Sequence, residues 1–131
     1  QTLDLIRNSP RAADIHVTGY VSNAQLDALY RRASLFAFPS LDEGFGIPVI
    51  EAMAHGLPVI TSNRSALAEI SGHAALQLDP EDTSALTDAL QHWMDSPAER
   101  ERYSSLGLAW SAPFTWDRAV DATFAAYRSL L

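Results

Sequence analysis

The tightest constraint on this chain is the run of punctuation around one short helix. Leu35-Phe36-Ala37-Phe38 is a continuous apolar stretch closed by Pro39, which suits a strand covered on both faces. A polar, glycine-bearing loop follows, from Ser40 to Gly46. Gly44 and Gly46 flank Phe45, so the backbone there is free to take positive φ and to approach a ligand with no Cβ in the way. Pro48 fits the first turn of a helix, where its missing N–H costs nothing. The spacing predicts a helix from Gly46 or Ile47 through Ala54, stopped by Gly56 and barred from continuing by Pro58. Pro58-Val59-Ile60-Thr61 reads as the next strand, and a strand, loop, helix and strand in succession calls for a parallel sheet.

The helix carries Ile47, Val49, Ile50, Ala52, Met53 and Ala54, so it is expected to be buried over most of its circumference. Glu51 is the exception. A dry, unpaired carboxylate there would cost several kcal/mol, so Glu51 either pairs internally or faces a wet cleft. In open α/β sheets ligands sit outside the carboxyl ends of the strands, where the Ser40–Gly46 loop falls. The first helical turn offers N–H groups to an anion. Glu43 in the loop and Glu51 in the helix thus flank an anion-binding terminus. That combination suits a sugar nucleotide, since carboxylates accept from vicinal diols and backbone amides take phosphate. The plain alternatives are a buried ion pair for Glu51 and a solvated loop charge for Glu43.

The segment resembles the EX7E motif of the retaining GT-B glycosyltransferases known as group 1 or family 4. The shared residues are Pro39, Ser40, Glu43, Gly44, Phe45, Gly46, Pro48, Glu51, Ala52, Met53, Ala54, Gly56, Pro58 and Val59. The resemblance implies that Glu43, the residue closest to a catalytic one, binds the donor sugar and supports the transition state. It implies that Glu51 holds the ribose hydroxyls. It also implies that amides of Gly44, Phe45, Gly46, Ile47 and Val49 meet sugar and phosphates, with no metal and no cofactor beyond the nucleotide-sugar donor. The Gly19-Tyr20-Val21-Ser22 and Thr61-Ser62-Asn63 segments and the Phe114-Thr115-Trp116-Asp117 entry look most like bacterial mannosyltransferases, which makes GDP-mannose the expected donor. The family's upstream Arg and Lys, which clasp the diphosphate, have no counterpart here. The nearest cations are Arg64 and His55.

Around this segment, Ile15-His16-Val17-Thr18-Gly19 reads as a strand. It leads to a helix capped by Ser22 or Asn23, with Leu26, Leu29 and Tyr30 on one stripe. A short helix over Ala66–Ile70 ends at Gly72, and Ala74–Leu78 reads as another strand. Asp82 caps a helix with Ala85, Leu86, Ala89, Leu90, Trp93 and Met94 on its inner stripe, where Trp93 is a core residue before it is a sugar platform. Ser96-Pro97-Ala98-Glu99 has the form of a capping box, and Gly107 weakens the end of the helix it opens. Thr115 caps a last helix with Val120, Phe124, Tyr127 and Leu131 in register.

At 131 residues with 47% hydrophobic composition, the chain is one domain with an ordinary core. A net charge of −7 argues against a nucleic-acid partner. With no cysteine, disulfides and thiolate chemistry are excluded. The four histidines fall in different elements without metal-ligand spacing. Leu3, Leu5 and Ile6 begin as if inside a helix, and the chain reads as a truncated C-terminal donor-binding domain. Its fold class is α/β, a Rossmann-like parallel sheet with flanking helices and a helical C-terminal end. The expected partners are the donor and an N-terminal acceptor domain of the same parent, in the cytoplasm. Peripheral membrane association of the parent and self-association of the fragment stay open. The rival reading is a non-catalytic α/β module that binds another anion or a protein.

Overall fold

The structure, a computed structural model, describes residues 2–130. Three short strands, β1 (Phe36–Phe38), β2 (Val59–Ser62) and β3 (Leu76–Leu78), form one parallel sheet in the order β1-β2-β3. The register pairs Phe36 with Val59 and Ile60 with Leu76. Between the strands run α3 (Ile47–Ala54) and α4 (Ser65–Ser71); α1 (Thr2–Arg7) and α2 (Asn23–Arg32) precede them. Three helices close the chain: α5 (Thr83–Asp95), α6 (Pro97–Ser111) and α7 (Trp116–Ser129). This is the parallel α/β architecture with a helical end that the punctuation predicts.

Every residue of β2, the central strand, is buried. Its two polar side chains are provided for: Thr61 Oγ1 donates to the Phe38 carbonyl at 3.0 Å, and Ser62 Oγ accepts from the Arg64 N–H at 3.1 Å. The core gathers Val49, Ala52 and Met53 of α3, Leu57 and Val59 beyond it, and Leu67 and Ile70 of α4. Trp93 is buried against the Tyr103 ring, centroids 4.8 Å apart, as the stripe of α5 predicts.

α3 starts and stops where its caps dictate. Gly46 is the N-cap, with φ +97°. At the other end Gly56 is left-handed (φ +75°), its N–H donating to the Met53 carbonyl and that of Leu57 to the Ala52 carbonyl. Those two bonds make a Schellman terminus. Ser104 Oγ of α6 adds a 2.6 Å bond to the Gly56 carbonyl.

Several expectations are corrected. Ile15–Gly19 is not a strand: it pairs with none of the three strands, and Val17 is exposed. Apolar β-branched residues favour an extended chain, but a ladder needs a neighbour. β1 is covered on one face rather than two, since Phe36 and Phe38 are half-buried and Ala37 is exposed. α3 is likewise open along one side, where Ile47 is 54% exposed. Ser22, not Asn23, caps α2, in a reciprocal box with Gln25. Ser96 makes no such side-chain bond; Glu99 turns instead to Arg102 at 3.4 Å. Gly107 does not weaken a helix end. It lies inside α6 and buried, where a Cβ would stand 3.3 Å from Met53 Cβ, so its bareness lets α6 close on α3.

α7 is capped by Thr115 as expected, yet none of its residues is buried, and Trp116, Val120, Phe124 and Tyr127 stand exposed. Leu131, expected in the same register, lies outside the described residues. Among the described residues no helix is long and apolar enough to cross a membrane.

Candidate functional site

Two loops meet at the carboxyl ends of β1 and β2. The first carries Glu43, Gly44 and Phe45 into the α3 terminus; the second is Asn63–Arg64 before α4. They are joined by Ser65 Oγ, which donates to the Glu43 carbonyl at 3.3 Å. Of the glycines flanking Phe45, only Gly46 takes positive φ. It is also a packing residue, because a Cβ there would stand 2.6 Å from Leu67 Cδ2 of α4. The Val49 N–H donates to the Gly46 carbonyl at 3.0 Å, and Pro48 has none, which leaves Ile47 as the orphan donor of this turn.

Glu51 lies on the open side of α3 and lines two cavities. One, of about 620 Å³, is an apolar groove walled by Phe45, Ile47, Ile50 and Ala54 and by Phe114 and Trp116 at the entry to α7. The other, of about 220 Å³, is walled by Asn23, Leu26, Asp27, Tyr30 and His55. The structure therefore gathers Phe45, Ile47 and Glu51 round one groove. Glu43, half-buried in its loop, is not among the residues lining either cavity. Gly44 is exposed, while Gly46 and Val49 are buried.

The surroundings of Glu51 were not legible as a site in the sequence. Tyr30 O–H donates to Glu51 Oε2 at 3.4 Å. The Tyr30 ring meets Phe36 edge-on and stacks on His55, centroids 5.7 and 4.9 Å apart. Burial, and then the Glu51 carboxylate beside it, push the Tyr30 phenol up to about 12. His55 Nδ1 is 2.7 Å from the Glu51 carbonyl oxygen and Nε2 is 2.9 Å from Asp27 Oδ1. Both neighbours are acceptors, so the ring serves both only with two protons. The Glu51 carbonyl and then Asp27 accordingly raise the His55 pKa above its ordinary value. Hydrogen bonds from Arg31 and then His55 hold the Asp27 carboxyl down at about 2. The available signal was spacing: Asp27 and Tyr30 share a face of α2, as Glu51 and His55 do of α3.

These shifts have a definite sign. The contribution of His55 is fully present below its ordinary value of 6.5 and is lost as pH rises through the higher folded value. That of Asp27 is present above 3.8 and is lost as pH falls toward about 2. The melting-temperature gap between wild type and His55→Ala is therefore expected to be widest between about pH 4 and 6.5 and to narrow above. Thermal melts across that range check it, and a gap that does not change with pH would show the ring acting by stacking alone.

The two cations nearest the loops are both engaged. Besides the contacts of His55, Arg64 Nη2 bonds Asp79 and Glu81, each at 2.7 Å. Arg64 thus clamps the loop after β2 to the loop after β3.

Comparison with known proteins bears on what this arrangement is. Residues 3–109 match the family model for glycosyl transferases group 1. The chain is 36% identical over 126 residues to O-antigen chain mannosyltransferase B of Escherichia coli, covering 96% of this chain and 33% of that protein. It is 34% identical over 121 residues to MMP alpha-(1->4)-mannosyltransferase of Mycolicibacterium hassiacum, covering 89% of this chain and 29% of that one. Among solved structures it superposes on sucrose-phosphate synthase from Thermosynechococcus elongatus with a TM-score of 0.88 at 28% identity, over 98% of this chain and 33% of the other. The chain thus spans about a third of the length of each of these three proteins. The fold is the Rossmann-like C-terminal half of a GT-B protein, and with the family model matched over most of its length, this chain belongs to the group 1 glycosyl transferases.

Proposed function

We propose that this chain is the donor-binding wall of a retaining hexosyltransferase, a mannosyltransferase that uses GDP-mannose. The observation that carries the reading is the pairing of one helix terminus with one carboxylate. Gly46 opens α3 with an unpaired first-turn donor at Ile47, and one helical turn further on Glu51 opens into the adjoining cavities. A diphosphate on the terminus leaves the ribose within the span of Glu51 and the sugar toward Glu43. Amides of Gly44, Phe45, Gly46 and Ile47 meet sugar and phosphate, and Val49 closes the turn that presents them. Glu43 binds the sugar hydroxyls and supports the charge that develops at the anomeric carbon.

The choice of mannose leans on the relatives, several of which are named mannosyltransferases. In this reading the diphosphate charge is met by the helix terminus and by groups outside this chain. On the same reading an N-terminal domain of the parent binds the acceptor, a glycan or a lipid-linked acceptor, in the cytoplasm.

The test is an NMR titration of the labelled chain with GDP, UDP, ADP and their sugar conjugates, following the amides from Gly44 to Glu51. Base-selective shifts at those amides, largest with GDP and GDP-mannose, are expected. No shift with any of the six moves the test to the full-length parent, where transfer unchanged by Glu43→Ala and Glu51→Gln would overturn the reading in favour of a binding module of another kind.

A further inference from the structure

We infer that Tyr30 is the positioning residue for Glu51: its phenol takes one carboxylate oxygen and presents the other to a vicinal diol. The inference rests on the reading of Glu51 as the ribose contact.

Glu51 stands on the open side of α3, where a glutamate with three free side-chain torsions has no reason to hold one orientation. The bond from Tyr30 to Oε2 supplies that reason, and it leaves Oε1 for the ligand. The donor itself is fixed. Tyr30 is 7% exposed, edge-on to Phe36 and stacked on His55. His55 in turn is tied to Asp27 and to the backbone of Glu51, and Asp27 is tied to Arg31 at 2.8 Å. Tyr30, Asp27 and Arg31 of α2 and His55 at the C-cap of α3 thus key the two helices together and end at one carboxylate oxygen. A phenylalanine would fill the same space, so packing does not account for a hydroxyl on a buried ring beside a carboxylate. A carboxylate that receives a ribose diol in one fixed plane does account for it.

The experiment compares wild type, Tyr30→Phe, Glu51→Gln and the double variant of the chain. The probes are GDP, UDP and ADP beside their 2′,3′-dideoxy forms, with binding read by calorimetry. Tyr30→Phe is expected to weaken the ribonucleotide about fivefold, the order of one ordinary hydrogen bond, because the contact it removes is a long one at 3.4 Å. It is expected to leave the dideoxy form unchanged and to add nothing in the Glu51→Gln background. The Glu51 Cδ resonance of the ligand-free chain is expected to move in Tyr30→Phe. A Cδ resonance that stays put overturns the inference whatever the nucleotides do. Equal losses for ribo and dideoxy forms overturn it as well, since Tyr30 would then act through the fold. A moved resonance in a wild-type chain that does not prefer ribose overturns the assignment by removing the ribose contact it depends on, and that outcome identifies the functional reading as the part that failed.

Discussion

Glu51→Gln is expected to weaken nucleoside-diphosphate binding about tenfold to a hundredfold. The substitution keeps the size of the side chain and an oxygen for the Tyr30 phenol to meet. It removes the negative charge that makes a hydroxyl-to-carboxylate bond stronger than a neutral one. Hydrogen bonds to charged groups contribute about 1.5–3 kcal/mol, and about 1.4 kcal/mol is a factor of ten in affinity. Because Glu51 is exposed on α3, the melting temperature is expected to stay near that of the wild type, which separates lost recognition from lost fold. Calorimetry with GDP decides it: an unchanged dissociation constant would remove the ribose role.

Gly46→Ala is expected to destabilise the fold by about 3 kcal/mol, from overpacking of about 1–3 kcal/mol together with about 1–2 kcal/mol for a left-handed alanine. The residue has φ +97°, and its new Cβ would stand 2.6 Å from Leu67 Cδ2 and 3.4 Å from Ile70 Cγ2. Leu67 is fully buried and has little freedom to swing away. The relief of the clash would therefore fall on the α3 terminus and its loop, so the amides from Gly44 to Ile47 are expected to shift even without ligand. Urea unfolding measures the loss. Adding Leu67→Ala should recover the steric share of it but not the backbone share, and a single variant as stable as wild type would show that the terminus tolerates a side chain.

The parts of the fold legible in the sequence are those set by neighbours along the chain. Gly46, Pro48, Gly56 and Pro58 bracket α3 because capping and helix breaking act within a few residues, and Asp82 and Thr115 mark helix starts for the same reason. What depends on distant residues was not legible. Ile15–Gly19 has the composition of a strand and no ladder. Gly107 is a defect when viewed along its helix and a contact surface when Met53 is brought against it. Ser96 and Glu99 match a local pattern, but Arg102 competes for the glutamate. The site divides in the same way. Phe45, Ile47 and Glu51, which line one groove, were named from a local pattern, whereas Tyr30 lies 21 residues from Glu51 and Asp27 lies 28 from His55, distances at which only the folded chain brings them together.

α3 is pinned at both ends by left-handed glycines, and its C-terminal turn is also held by Ser104 of α6. Both ends of this eight-residue helix are thus set by backbone geometry and by a contact from a neighbouring helix. With Tyr30 in the positioning role inferred for it, the Glu51 carboxylate is ordered as the protein folds, and an arriving ligand bears less of that entropy. If α3 receives the donor as proposed, the ligand would adjust its own torsions to this terminus, and selectivity there is expected to follow the shape of the ligand.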